Sequence, residues 1–279
     1  MLQFPKISII TPSFNQGKFL EETIKSVISQ NYPNLDYIII DGGSKDDSID
    51  IINRYSKYLS YFKSESDKGQ AEAINKGMKR AQGDIVAYLN SDDCYKEGTL
   101  KFVAEVFSQN PGLDFIYGDS ELIDEHGEKI GVHKEIDFDF IMGSFFGFGP
   151  IIPQPSAFWK SKIFKEVGYF NEDLDYNLDG DFFSRAVKNR NVKHYPIILS
   201  KNRFHDRSKT VQNINAPTSK YLNEHLNEVI SSYSNLKISR IIPFKYSKAV
   251  RWLYRSKRIF TRLLKGHYFR DYEYRHLKI

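Results

Sequence analysis

Three times within the first hundred residues an apolar run ends in a cluster of small and polar residues, and helical spacing intervenes between one run and the next. Lys6-Ile7-Ser8-Ile9-Ile10-Thr11 reads as a short buried strand ending at Pro12. Lys18 to Gln30 follows, with Phe19, Leu20, Ile24, Val27 and Ile28 on one helical stripe. Asp36-Tyr37-Ile38-Ile39-Ile40-Asp41 is the second run, closed by Gly42-Gly43-Ser44, after which Asp46 to Tyr58 takes helical spacing. A helix from Gln70 to Ala81 precedes Gly83-Asp84 and the third run, Ile85-Val86-Ala87-Tyr88-Leu89. Strands that are apolar throughout must be covered on both faces. Alternation with helices supplies that cover in a parallel sheet, and the three repeats read as a doubly wound α/β half.

After Gly98 the rhythm changes. A helix is expected near Leu100 to Ser108, strands at Phe115-Ile116-Tyr117 and Glu121-Leu122-Ile123, and a hairpin turn at Glu125-His126-Gly127. Met142 to Pro155 is Gly- and Pro-rich. A second half of mixed strands and long loops forms the other wall of a cleft, with a nucleotide at the C-terminal ends of the parallel strands. No repeat or low-complexity tract interrupts residues 1–235. They are therefore expected to form a single unit, with a nucleotide half over about 1–98 and an acceptor half over about 99–235. Residues 236–279 are a basic, aromatic extension expected to be helical.

The strand ends carry the chemistry. Thr11-Pro12-Ser13-Phe14-Asn15, Asp41-Gly42-Gly43-Ser44 and Asn90-Ser91-Asp92-Asp93 converge on one edge of a parallel sheet. Backbone amides and short side chains can hold a nucleotide there, and Asp41 and Asp92 can accept hydrogen bonds from a base or a ribose. Adjacent carboxylates repel unless a cation or donors compensate, and a hard divalent ion bridging to phosphates is the common solution. Mg²⁺ or Mn²⁺ is therefore expected at Asp92-Asp93. The alternative is that the pair caps the following helix.

Taken together, Ser8 to Asn15, Ile39-Ile40-Asp41-Gly42-Gly43-Ser44-Lys45-Asp46, Asp67-Lys68-Gly69-Gln70-Ala71, and Gly83-Asp84 through Asn90-Ser91-Asp92-Asp93 resemble the inverting family 2 glycosyltransferases with the GT-A fold. The likeness runs from about Pro5 to Thr210, and these are enzymes that commonly build bacterial surface polysaccharides. It implies a sugar moved from a nucleotide-diphosphate donor, a UDP-sugar first, to a glycan or lipid-linked acceptor. It makes Thr11, Pro12 and Phe14 the first nucleotide-contacting loop and Asp41 the acid that recognises the base. Asp67, Lys68 and Gly69 become the loop closing over the nucleotide, Asp92 the ribose contact and Asp93 the metal ligand. Asn90 departs from the usual acidic motif, which often has Asp there.

Inverting transfer needs one general base on the acceptor side. Gly168 to Glu172 followed by Leu178 to Arg185 resembles the family's base segment, which makes Asp179 the candidate. Asp181 is the second choice, with a structural place at a helix start as its other reading. His205, in Arg203 to Thr210, resembles a late loop near the diphosphate and is read as a metal or phosphate contact or as a structural histidine. Gln154, bracketed by Pro153 and Pro155, is read as an acceptor or diphosphate contact or as part of a rigid turn.

Charge divides the chain. Residues 236–279 hold 13 Lys or Arg against 2 acidic residues, whereas residues 1–235 hold 27 basic against 33 acidic. From Ser247 to Lys265 apolar and basic residues interleave as in a basic amphipathic helix. Such a helix can lie in an anionic membrane surface, where each cation contributes roughly 1 kcal/mol. Packing on the catalytic unit is the second reading. No nucleic-acid motif is present, and no nucleic-acid partner is expected.

The chain starts without a signal-peptide pattern and no apolar run reaches the ~18 residues of a membrane span. Its single Cys94 allows no internal disulfide. A cytoplasmic protein, peripheral on the inner membrane face, is the expectation. Aromatic residues reach 15%, enough to line a cleft or interface as well as a core. A nucleotidyltransferase would show a Gly- and basic-rich loop after the first strand, and a dinucleotide-dependent oxidoreductase a Gly-x-Gly-x-x-Gly. Neither is present. A non-catalytic sugar-nucleotide-binding protein remains as the alternative, opposed by the presence of Asp93 and Asp179.

Overall fold

The first apolar run folds as β1 (Ile7–Ser13), whose seven side chains are all buried. The computed structural model describes residues 4–137, 151–209 and 211, with 256, 259–261, 263 and 264 of the basic extension. The expected stop at Pro12 is not observed. β1 pairs with β2 (Leu35–Asp41) along its whole length, but with β4 (Ile85–Tyr88) only from Ile7 to Ile10. Pro12 lies past the end of β4, where its missing N–H deprives no neighbour of a ladder bond.

Between β1 and β2 runs α1 (Gly17–Ile28), which buries Phe19, Leu20, Ile24 and Val27 as its stripe requires. The helix expected over Asp46 to Tyr58 is shorter, α2 (Ser48–Arg54), with a 3₁₀ turn at Ser56–Tyr58. The half-exposed edge strand β3 (Tyr61–Ser64) comes next, paired with β2, and then α3 (Gln70–Arg80). After β4 come the short β5 (Cys94–Tyr95) and α4 (Thr99–Gln109).

The two strands expected at Phe115 and Glu121 are one, β6 (Phe115–Ile123), with register irregularities at Gly118 to Ser120. The hairpin turn is found where expected, leading to β7 (Lys129–His133), with Gly127 at φ +86°. Then follow β8 (Ala157–Lys160), α5 (Lys162–Val167), α6 (Leu178–Val187) and β9 (Val192–Arg203). The stretch 138–150, which takes in residues 142–150 of the Gly- and Pro-rich segment, lies outside the described residues. So does the extension 236–279, apart from the six positions named.

Nine strands among the described residues form one mixed sheet in the order β3-β2-β1-β4-β8-β6-β9-β5, with β7 on β6. β8 runs antiparallel to both β4 and β6, and β9 runs parallel to β6. The C-terminal ends of β1, β2, β4, β6 and β9 therefore share one edge. One face buries Ile7, Ile9, Leu20, Ile39 and Val103 beneath α1, α2 and α4. The other buries Ile10, Ile74, Trp159, Phe182 and Phe183 beneath α3, α5 and α6. Each such side chain contributes about 1.5–3 kcal/mol through burial.

Much of the aromatic content sits in this second face. Phe115 stacks on Trp159 with centroids 5.7 Å apart, and Phe170 stacks on Phe182 at 4.2 Å. Gly77 lets α3 approach β1: a Cβ there would come within 2.4 Å of Ile10 Cγ2.

Candidate active site

The loops after β1 and β2 are laced together. Ser44 Oγ accepts from Asn15 N–H at 2.8 Å, Asn15 Oδ1 accepts from Lys45 N–H at 2.8 Å, and Asp46 Oδ2 accepts from Gly17 N–H at 2.9 Å. Asn15 adopts φ 51°, a left-handed conformation that Asn tolerates better than most residues. Pro12 is buried and Thr11 turns inward, its hydroxyl 3.2 Å from Tyr37 Oη. Phe14 stands out at 59% exposed, and the buried Ser13 Oγ beneath it has no hydrogen-bond partner.

Asp41 is wholly buried. Its Oδ2 accepts from Gly43 N–H, Ser44 N–H and Ser64 Oγ, and its Oδ1 from Ser44 Oγ at 2.5 Å. A carboxylate offers about four acceptor positions, so these bonds leave Asp41 little capacity for a ligand. Asp67 differs. It is half-buried, its Oδ1 accepts only the Gly69 N–H at 2.9 Å, and its Oδ2 lies 2.9 Å from where a Gly42 Cβ would stand. Burial, with the charge of Asp41 as a lesser cause, raises its pKa. Gly69, at φ +139°, makes the turn into α3 that only glycine adopts readily, and Lys68 is exposed.

Beyond β4, Asn90 binds three neighbours. Its Oδ1 accepts from Gln70 Nε2 at 2.7 Å, and its Nδ2 donates to Gln154 Oε1 at 3.0 Å and more weakly to Asp93 Oδ2 at 3.4 Å. Gln154, buried in a 3₁₀ turn at Gln154–Ser156, is oriented by donating Nε2 to Tyr88 O at 2.8 Å. Asp93 is 2% exposed. Its Oδ1 accepts from Arg203 N–H at 2.9 Å, while Oδ2 has only the long Asn90 contact. Burial and then the charge of Asp92 push its pKa well above the ordinary carboxylate range. His205 Nε2 lies 3.0 Å from Asp92 Oδ2, and its ring rests 4.7 Å from that of Phe19.

Among the described residues no three metal-ligating side chains form a ready-made cage. The donor set still fits a divalent ion of the Mg²⁺ or Mn²⁺ kind. Such ions are held by one or two carboxylates and complete their shell with waters and substrate phosphates. A buried, incompletely paired carboxylate of raised pKa is what a cation would compensate.

Asp179 and Asp181 occupy the first turn of α6. Phe182 and Phe183, fully buried just beyond, anchor that turn. Asp179 Oδ1 accepts from Gly180 N–H at 2.9 Å. Asp181 pairs with Arg185 at 2.7 Å, and Arg185 also donates to Val167 O and Tyr169 O. Asp181 thereby fastens α6 to the chain that precedes it. Tyr88, at the end of β4, packs edge-on against Phe170 with centroids 5.3 Å apart, and its phenol pKa is raised well above the usual value by burial and after that by the charges of Asp179 and Asp93.

Arg203, which carried no sequence-based role, organises the site. Its guanidinium is buried over the Phe19 ring, pairs with Glu22, and donates to Asp92 O at 2.9 Å and to Asp124 O at 3.1 Å. Its position just before His205 was the only available signal. Nothing in a basic residue at a strand end announces that it will be buried.

The family model described as "Glycosyl transferase family 2" matches residues 8–170. An uncharacterized glycosyltransferase of Rickettsia felis is 29% identical over 227 residues, covering 76% of this chain and 36% of that protein. An uncharacterized glycosyltransferase of Haemophilus influenzae is 31% identical over 185 residues, 64% of this chain and 72% of that protein. This chain thus spans about a third of the length of the Rickettsia felis relative and most of the Haemophilus one. Among solved structures, S. aureus TarS in complex with UDP-GlcNAc superimposes with a TM-score of 0.63 at 18% identity, over 88% of this chain and 77% of TarS. The mannosyltransferase PcManGT from Pyrobaculum calidifontis, in complex with GDP-Man and Mn²⁺, gives 0.60 at 17%, over 95% and 82%. At these identities the structural likeness establishes the fold.

Proposed function

Since this chain belongs to glycosyl transferase family 2, we propose that it transfers a sugar, with inversion, from a nucleotide-diphosphate donor to a glycan or lipid-linked acceptor at the C-terminal edge of its sheet. The observation that carries the reading is Asp93: a buried carboxylate with one oxygen held by the Arg203 amide and the other without a close donor. A donor's diphosphate with its divalent ion supplies the missing charge.

In this reading Phe14 offers its exposed ring to the nucleobase, next in sequence to Ser13, whose buried hydroxyl has no hydrogen-bond partner. Asp41 acts through the loop it organises. Asp67 supplies the carboxylate with spare acceptor capacity, and Lys68 and Gly69 close over the nucleotide. Asp92, held by His205, receives the ribose hydroxyls. Asp93 holds Mg²⁺ or Mn²⁺, with His205 beside it. The ion, when bound, neutralises the diphosphate and so lowers the cost of the charge that develops on the leaving group. Gln154 stands at the diphosphate wall. UDP is the first nucleotide to test, because TarS binds UDP-GlcNAc. GDP is the second, because PcManGT binds GDP-Man.

Asp179 accepts the proton from the acceptor hydroxyl as its oxygen attacks the anomeric carbon, opposite to the departing nucleoside diphosphate. The new C–O bond forms as the C–O bond to phosphate breaks, so the configuration inverts. Asp179→Asn keeps the size of the side chain and removes the base. We expect kcat to fall by about 10²–10⁴ while the donor Kd, read by calorimetry, changes less than about twofold. Retained turnover in Asp179→Asn would falsify the assignment.

A further inference from the structure

Four of the eight most exposed large apolar residues among the described residues fall within six positions: Ile259 at 50%, Phe260 at 61%, Leu263 at 46% and Leu264 at 73%. Positions 259–261, 263 and 264 are helical, and the spacing i, i+1, i+4, i+5 puts the four side chains on one face. In the sequence, Ala249, Trp252 and Leu253 recur at the same helical spacing, Arg251, Arg255, Arg258, Arg262 and Lys265 fall outside it, and residues 247–265 contain no Asp or Glu.

The two faces together select the occupant. In the structure Ile259, Phe260, Leu263 and Leu264 are left exposed, not packed on the described catalytic unit. Nucleic acid would take the cations and leave the apolar face in water. A second copy would bring two strongly basic segments together. An anionic lipid surface covers both faces at once, taking the apolar side chains into the headgroup boundary and the cations to lipid phosphates. We propose that residues 247–265 dock this protein on an anionic lipid surface. Docking there places the active site where a lipid-linked acceptor is presented, yet it is measured with neither donor nor acceptor. Its failure is therefore distinct from failure of the catalytic reading.

The test is sedimentation of the full chain with phosphatidylglycerol–phosphatidylcholine vesicles and with phosphatidylcholine vesicles. Expected is at least about tenfold tighter binding to the anionic vesicles, weakened by added salt. Phe260→Asp with Leu264→Asp lowers that binding about tenfold or more, and Arg258→Glu with Arg262→Glu abolishes the preference for anionic lipid. Unchanged melting temperatures confirm that the variants fold. Should the double Asp variant melt early, Leu264→Gln, at the most exposed of the four, replaces it. Equal binding to both vesicles, or full binding by the apolar-face variant, overturns the proposal. So does a dimer in light scattering that the apolar-face variant dissociates while vesicle binding is absent, or retention on DNA without vesicle binding.

Discussion

Asn90 shows how one amide sets the polarity of the site. Gln154 is fixed by the Tyr88 carbonyl, so its oxygen faces Asn90 and requires a donor there. Asn90 supplies that donor and presents its own oxygen to Gln70. The Asp more usual at this position would turn a carboxylate on the Gln154 oxygen and on Asp93 together. We therefore predict that Asn90→Asp destabilises the metal-free protein by about 1–3 kcal/mol in urea unfolding. Asp93 makes a second prediction at this scale. Its folded pKa is raised, chiefly by burial. The sign follows from linkage: the folded state binds the proton more tightly than the unfolded one. Stability from this group is full below the ordinary carboxylate pKa of about 3.9 and is lost as pH rises through the raised value. In chelator, wild type should lose melting temperature relative to Asp93→Asn across that window, and Mn²⁺ should restore it in wild type alone. Parallel melting curves for the two proteins at every pH would contradict this.

At the level of elements, the sequence was most legible where burial is symmetrical. β1, β2, β4, α1 and α3 lie within two residues of their expected bounds, because strands apolar on both faces and helices with one stripe have distinct periods. β9 was missed. Its twelve residues include Pro196 together with Lys193, Ser200, Lys201 and Asn202, polar positions that pair with β6 or β5 and follow no simple alternation. β3 was missed because an edge strand of four half-exposed residues carries little pattern. α3 yields a prediction that propensity alone would invert. Alanine is a better helix former than glycine by about 1 kcal/mol, but Gly77→Ala would drive its Cβ to 2.4 Å from Ile10 Cγ2. Overpacking should dominate. A net loss of roughly 1–2 kcal/mol is expected in urea denaturation, and a stabilised variant would show that β1 and α3 separate more easily than their contact implies.

Across the whole molecule, polar ties hold the nucleotide half to the second half, and three of them centre on Asn75, Gln154 and Arg203. Asn75, in α3, donates to Phe170 O and accepts from Phe170 N–H, which fixes the approach to α6. Gln154 joins Tyr88 and Asn90. Arg203 joins β9 to α1 through Glu22, to the acidic loop through Asp92 O and to the β6–β7 turn through Asp124 O. Removing its guanidinium leaves the half-buried Asp92 and Asp124 carbonyls without that donor, while Glu22, half exposed, returns to water. Arg203→Ala should therefore cost about 1–3 kcal/mol. It should also weaken Mn²⁺-dependent donor binding measured by calorimetry, because Asp92 and Asp93 lose their support. Loss of stability with unchanged donor affinity would show that the loop keeps its shape unaided. The sequence by itself determined the parallel nucleotide-binding half and the edge where its polar loops gather, because periodicity and strand-end chemistry are local properties. Only the tertiary structure decided that Ser64 adds a fourth bond to Asp41, that Asp67 keeps acceptor capacity, and that Arg203 is buried beneath the acidic pair. Those outcomes depend on which strands pair and on which donors reach each oxygen, and contacts between residues some twenty to more than a hundred positions apart leave no periodic trace in the chain.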